Sequence, residues 1–76
     1  MDSPANGKEP SLLDVVALLA DRPSEALARG QVGTVVETLK DDALLVEFSD
    51  DQGRPYAVVP CGRSELLVLH YEPHAA

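Results

Sequence analysis

Three runs decide how this chain folds: Thr34-Val35-Val36-Glu37-Thr38-Leu39, Ala43-Leu44-Leu45-Val46-Glu47-Phe48 and Tyr56-Ala57-Val58-Val59. Each is short, rich in Val, Leu or aromatic residues, and bounded by turn-forming residues. Gly33 precedes the first, Lys40-Asp41-Asp42 separates it from the second, and Ser49-Asp50-Asp51-Gln52-Gly53 separates the second from the third. Apolar runs at about ten-residue spacing between such turns predict an all-β meander. In the second run Leu44, Val46 and Phe48 share one face, while Glu47 points to water from the other. Pro55 and Pro60 bracket the third, and a residue without an amide donor is tolerated only at strand ends or edges.

Downstream, residues 66–71 form a last strand, and the five residues from Cys61 to Glu65 suffice for a single helical turn. Upstream the pattern is less decisive. Ser11 and Asp14 could cap a helix over residues 12–20, yet Val15-Val16-Ala17-Leu18-Leu19 also suits a strand with two apolar faces. Pro23-Ser24 ahead of Glu25-Ala26-Leu27-Ala28-Arg29-Gly30 predicts a one-turn helix, with Ser24 as N-cap and Gly30 as its stop.

The whole chain is 76 residues, enough for one domain. The expected division is a disordered tail over 1–10, a barrel domain over 11–72 and a short tail over 73–76. The net charge is −7, which argues against autonomous binding to nucleic acid or an anionic membrane. No apolar run reaches the ~20 residues that span a bilayer, so a cytoplasmic location is expected. Six acids and one base lie between Glu37 and Asp51, so most of the excess charge sits in the meander. Asp41, Asp42, Asp50 and Asp51 read either as solvated hairpin tips, where Asp is common, or as an acidic surface for a basic partner.

Four blocks together resemble a family of short bacterial proteins described only as a domain of unknown function. They are Leu12-Leu13-Asp14-Val15-Val16-Ala17-Leu18, Arg29-Gly30-Gln31-Val32-Gly33-Thr34-Val35-Val36-Glu37, Glu47-Phe48-Ser49-Asp50, and Tyr56-Ala57 leading to Glu65-Leu66-Leu67-Val68-Leu69. The resemblance covers about residues 11–71 and carries no activity. It implies that the first apolar run is a strand. The Gly30–Val36 block is also similar to the barrel of the nitrile hydratase β subunit and its activator proteins, and to the KOW segment of ribosomal and elongation proteins. Glycines there permit a tight turn and positive φ entering the second strand, and valines fill a small barrel. The expected fold is therefore a small SH3-like barrel of about five antiparallel strands, with one short helical turn before the last. Such folds host unrelated activities.

Catalytic chemistry finds little material. The single Cys61 lies on the inward face by alternation and acts there as a small buried hydrophobe; a nucleophile would need a base beside it. His70, Glu72 and His74 alternate and are chemically fit for a metal, but they sit around Pro73 at the terminus. There is no Ser-His-Asp order and no phosphate-cradling glycine loop. No enzyme activity, cofactor or metal is expected.

Surplus apolar residues are the better clue. The runs 15–19 and 66–69 are apolar on both faces, and one face must be covered by the 24–29 segment, by the tails or by a partner. Val16, Leu18, Leu67 and Leu69 are the expected interface residues. The sequence thus predicts a non-catalytic acidic interaction module, docking on a larger protein encoded nearby or forming a homodimer. The alternatives are an accessory subunit of a metal enzyme or an RNA-associated barrel. A homodimer should strengthen with ionic strength and be weakened by Leu67→Asp or Leu69→Asp without unfolding. Sedimentation equilibrium reads this, and a monomer mass at all salt and protein concentrations contradicts it.

Overall fold

The computed structural model describes residues 9–69. Five strands, β1 (Val15–Leu18), β2 (Val32–Thr38), β3 (Ala43–Ser49), β4 (Pro55–Gly62) and β5 (Leu66–Val68), form one antiparallel sheet in the order β4-β3-β2-β1-β5. The only helical pieces among the described residues are two 3-10 turns, Pro23–Glu25 and Arg63–Glu65. The all-β fold, the antiparallel strands and the helical turn before the last strand are as expected. The sheet is open, with no ladder between β4 and β5 among the described residues. Of the tail expected over 1–10, residues 1–8 lie outside the described residues, as do the tail over 73–76 and the end of the last strand at 70–71; Pro10 is instead buried, its carbonyl accepting from Arg63 at 2.7 Å.

That sheet cannot be flat. Its edge strands β4 and β5 are consecutive in the chain and joined by Arg63–Glu65 alone. Four residue steps reach at most ~14 Å, whereas four inter-strand gaps in a flat sheet span ~19 Å. The sheet must roll, and its inner face then encloses its own core, with no longer helix or second sheet against it among the described residues. Register shows how. Val68, Val16, Gly33, Phe48 and Ala57 stand opposite one another across all five strands, Val35, Val46 and Val59 follow in the next inward row, and Leu44 opposes Cys61 beyond it. Val16, Leu18, Leu27, Val35, Leu44, Val46, Phe48, Val59, Cys61 and Leu66 are the buried cluster, with Ala57 and Val68 partly buried against it.

Gly30 adopts the expected positive φ, +92°, before β2. Gly33 is required for another reason. A Cβ there would meet Val46 Cγ1 at 2.7 Å, the Glu47 carbonyl oxygen at 2.8 Å and Phe48 Cδ1 at 2.9 Å. Phe48 packs where that side chain would stand, and it is wholly buried.

Two expectations need correction, and the choice between helix and strand for the first apolar run falls to the strand. The first helical turn is Pro23–Glu25, with Arg22 at its N-cap and a left-handed Ala26 at its end, so Ser24 lies inside it and Gly30 does not terminate it. Proline favours the first helical position, which moves the start two residues toward the N-terminus. Ser11 and Asp14 do bond as a cap would, Ser11 N–H to Asp14 Oδ2 at 2.9 Å, but they close a turn ahead of a strand. Finally, Val16 and Leu18, expected at an interface, are 0% and 1% exposed. Pairing of Val16 with Gly33 and of Leu18 with Leu66 turns both inward. The 24–29 segment contributes Leu27 to this core cluster.

Phe48→Ala should cost ~3–5 kcal/mol, near the whole stability of so small a domain. Gly33→Ala should cost ~1–3 kcal/mol by overpacking, because one of the clashing atoms is backbone. Urea unfolding measures both; an unchanged midpoint for either contradicts this packing.

Candidate functional site

Two places concentrate side chains that could act. The first gathers around Arg22, between the Pro23–Glu25 turn and the end of β4. Its guanidinium donates to Glu25 Oε1 at 3.3 Å, Glu65 Oε1 at 3.2 Å, the Pro60 carbonyl at 3.2 Å and Cys61 Sγ at 3.7 Å. Burial works against the charge on Arg22, but the bond to Glu25 and the nearby carboxylates outweigh it and raise its pKa. The Ser24 hydroxyl, then Arg22, hold the Glu25 carboxyl below its ordinary value. Cys61 itself is 1% exposed. Burial pushes its thiol pKa up, with Arg22 opposing only in part, and the thiol donates to the Val59 carbonyl at 3.7 Å. A thiol with a raised pKa and no route to solvent is a packing group. His70, Glu72 and His74 lie outside the described residues. Among the described residues no group of three His, Cys, Asp or Glu side chains is placed to hold a metal.

The second place is the outer face of the sheet. Ala17 lies between inward Val16 and Leu18, so it faces outward, and its ladder partners Val32 and Leu67 share that face. Leu67 is 50% exposed and Val32 42%, which makes an apolar row across β5, β1 and β2. Leu19, half exposed, follows Ala17 on the same side, its N–H bonded to the Glu65 carbonyl at 2.8 Å. Leu69 is only partly exposed. Next along the face Thr34 opposes Glu47, and Glu47 opposes the exposed Val58. Gln31 reaches over to bond the Tyr56 hydroxyl through its side-chain amide.

The five strands contain two charged side chains, Glu37 and Glu47. Both point outward: Glu37 opposes Leu45, which alternates with buried Leu44 and Val46. The aspartate pairs occupy the hairpin tips and are exposed. Asp41 and Asp42 both sit at φ 61°, the paired left-handed conformation of a tight hairpin turn, which Asp tolerates. Asp42 Oδ1 also pairs with Arg63 at 3.4 Å. Asp50 folds its own turn, with Oδ1 accepting from the Gln52 and Arg54 amides at 2.9 Å and Oδ2 pairing with Arg54 at 3.4 Å. Turn geometry thus accounts for Asp41, Asp42 and Asp50. Alternation alone places Leu67 and Glu47 outward, but the phase of β1 could be found only through its partners.

Among the described residues no helix is long and apolar enough to cross a membrane. In comparison with known proteins, the family described as Domain of unknown function (DUF4926) matches residues 12–68, which includes all five strands and both 3-10 turns. No curated protein matches the chain, and no solved structure does.

A thiol held neutral by burial should resist alkylation and Ellman-type exchange at pH 8 until the fold opens. Because its folded-state pKa lies above the unfolded value of about 8.5, the stability it supports is present below that pH. That stability drains as pH rises through the folded-state value. Cys61→Ala should flatten this alkaline loss in urea titrations. Rapid thiol reaction in the folded protein contradicts the assignment.

Proposed function

Since the chain belongs to the DUF4926 family, a domain family without an assigned activity, we propose from its own surface that it is a non-catalytic protein-interaction module. One observation carries this: the contiguous apolar row Leu67–Ala17–Val32 lies on the outer sheet face, with Leu67 and Val32 half exposed. Single exposed apolar side chains are ordinary, whereas a contiguous patch marks contact with another macromolecule. The strand order, with a 3-10 turn before the last strand, supports reading the fold as a small SH3-like barrel of the kind found in the nitrile hydratase β subunit and its activators. A cytoplasmic docking module is one of the uses that such a fold can carry.

A larger partner protein is favoured over a homodimer. Two of the four residues expected at a self-interface, Val16 and Leu18, are in the core. A symmetric face-to-face pair would also bring the carboxylates of one outer face toward those of the other, and like charges in apposition oppose association.

Affinity capture from native lysate tests the reading when run beside Leu67→Asp, a change at a half-exposed site that should leave the melting temperature within a few degrees. A protein retained by the wild type and lost by the variant is the expected result. Equal retention by both, or retention by neither, overturns the proposal.

A further inference from the structure

The apolar row ends at Val32, and Val32 also lines an open groove of about 320 Å³ between β2 and the β3–β4 turn, together with Thr34, Glu47, Ser49, Asp50 and Asp51. Its volume is at the bottom of the ~300–1,000 Å³ range of small-molecule pockets. Being open as well as small, it suits one side chain of a bound segment better than an enclosed cofactor.

The groove is unequally charged. Asp50 is neutralised by Arg54, whereas Glu47 and Asp51 have no cation or hydrogen-bond donor among the described residues. Glu47 stands in mid-strand, where glutamate is disfavoured, between Thr34 and Val58. No strand carries a Lys or Arg, so the sheet itself supplies nothing to balance it. Of the cations outside the strands, Arg22 is bound to Glu25 and Glu65, and Arg63 reaches Pro10, Glu9 and Asp42. The outer face therefore presents an apolar row leading into an anionic recess.

Resting on the docking reading above, we propose that this face binds an extended, basic segment of the partner protein. Apolar side chains of that segment lie along Leu67–Ala17–Val32, and a Lys or Arg enters the groove between Glu47 and Asp51. Side chains on one face of an extended segment recur every ~6.6–7 Å. Two inter-strand steps from Leu67 to Val32 cover ~10 Å, so two apolar residues followed by a basic one, each two positions from the last and hence on one face of the segment, fit the track. Charge complementarity selects this occupant over a second copy of the acidic chain.

The test uses the full chain and three capped octapeptides that place two valines and then two test residues on one face: Ser-Val-Ser-Val-Ser-Lys-Ser-Lys, and the same peptide with glutamine or with glutamate in place of lysine. Binding is read from amide chemical shifts of Val32, Thr34, Glu47 and Ser49. The lysine peptide should bind about fivefold or more tightly than the glutamine one, given exposed pairs of ordinary strength. The preference should vanish near 1 M salt, where the screening length is about 3 Å, and in Glu47→Gln/Asp51→Asn, whose melting temperature reports that it still folds. Equal binding of the lysine and glutamine peptides at these amides leaves the docking reading standing and overturns the basic partner. Failure of all three peptides to move these amides overturns the proposal, as do shifts that depend on protein concentration alone, which would assign the face to a second copy.

Discussion

The three-residue connection Arg63–Glu65 is the constraint on which the rest of the structure depends. It joins the two edges of a sheet that would otherwise lie too far apart, so it dictates the roll that turns one sheet face into a core. The turn is tied on every side. Glu65 accepts the Gly62 amide at 2.9 Å through its side chain and the Leu19 amide at 2.8 Å through its carbonyl, and the Arg63 amide reaches the Asp42 carbonyl at 2.9 Å. It thereby fastens the end of β4 to the end of β1 and to the β2–β3 hairpin. Rolling has a second consequence. Once the inner face is packed, the described residues offer no other layer to hide the outer face, and Leu67 and Val32 stay half exposed there.

What could be read in advance follows from the same asymmetry. β2, β3 and β4 were legible because turn residues bracket them and because Glu47 marks the solvent side; Glu37, two residues from buried Val35, faces outward only because the register shifts between them. Alternation outward from Phe48 then placed Val46, Val35, Val59 and Cys61 inside. β1 carries no polar residue to set its phase, so nothing local distinguishes Val16 and Leu18 from Val15 and Ala17. Its phase comes from Gly33 and Leu66, one remote and one very remote in sequence. Gly33 itself looked like a turn residue, and only the position of Phe48 shows that it is a space left for a ring. At the candidate surface, Leu67 and the aspartates were visible as residue types. Their separation into turn-building acids and uncompensated ones depends on hydrogen bonds that sequence does not encode locally.

The Arg22 cluster has the outward marks of an active site: a thiol, a guanidinium and two carboxylates within hydrogen-bonding reach. Burial decides against that use. The cysteine is sealed within the core with its pKa raised, and the arginine spends its donors on Glu25, Glu65 and the Pro60 carbonyl. Its position suggests what it does. β4 is an edge strand, and edge strands invite pairing with other chains unless they are blunted. Pro60 removes one donor from that edge, and Arg22 occupies the carbonyl that remains beside it. The opposite edge, β5, spans three residues among those described.

Arg22 and Pro60 blunt one end of the β4 edge, and the β5 edge spans three of the described residues, so the exposed sheet face is the broader surface open to a partner. Recognition by a face differs physically from recognition by an edge. An edge offers repeating backbone groups and reads side chains weakly, whereas a face offers side chains alone. On this face the side chains are apolar in one sector and anionic in the next, with no strand cation to blur the boundary. Selectivity in such an arrangement comes from the pairing of two requirements, because an apolar segment without a cation leaves Glu47 in a partly covered position without a partner. Covering an unpaired carboxylate costs free energy that the apolar row must then offset.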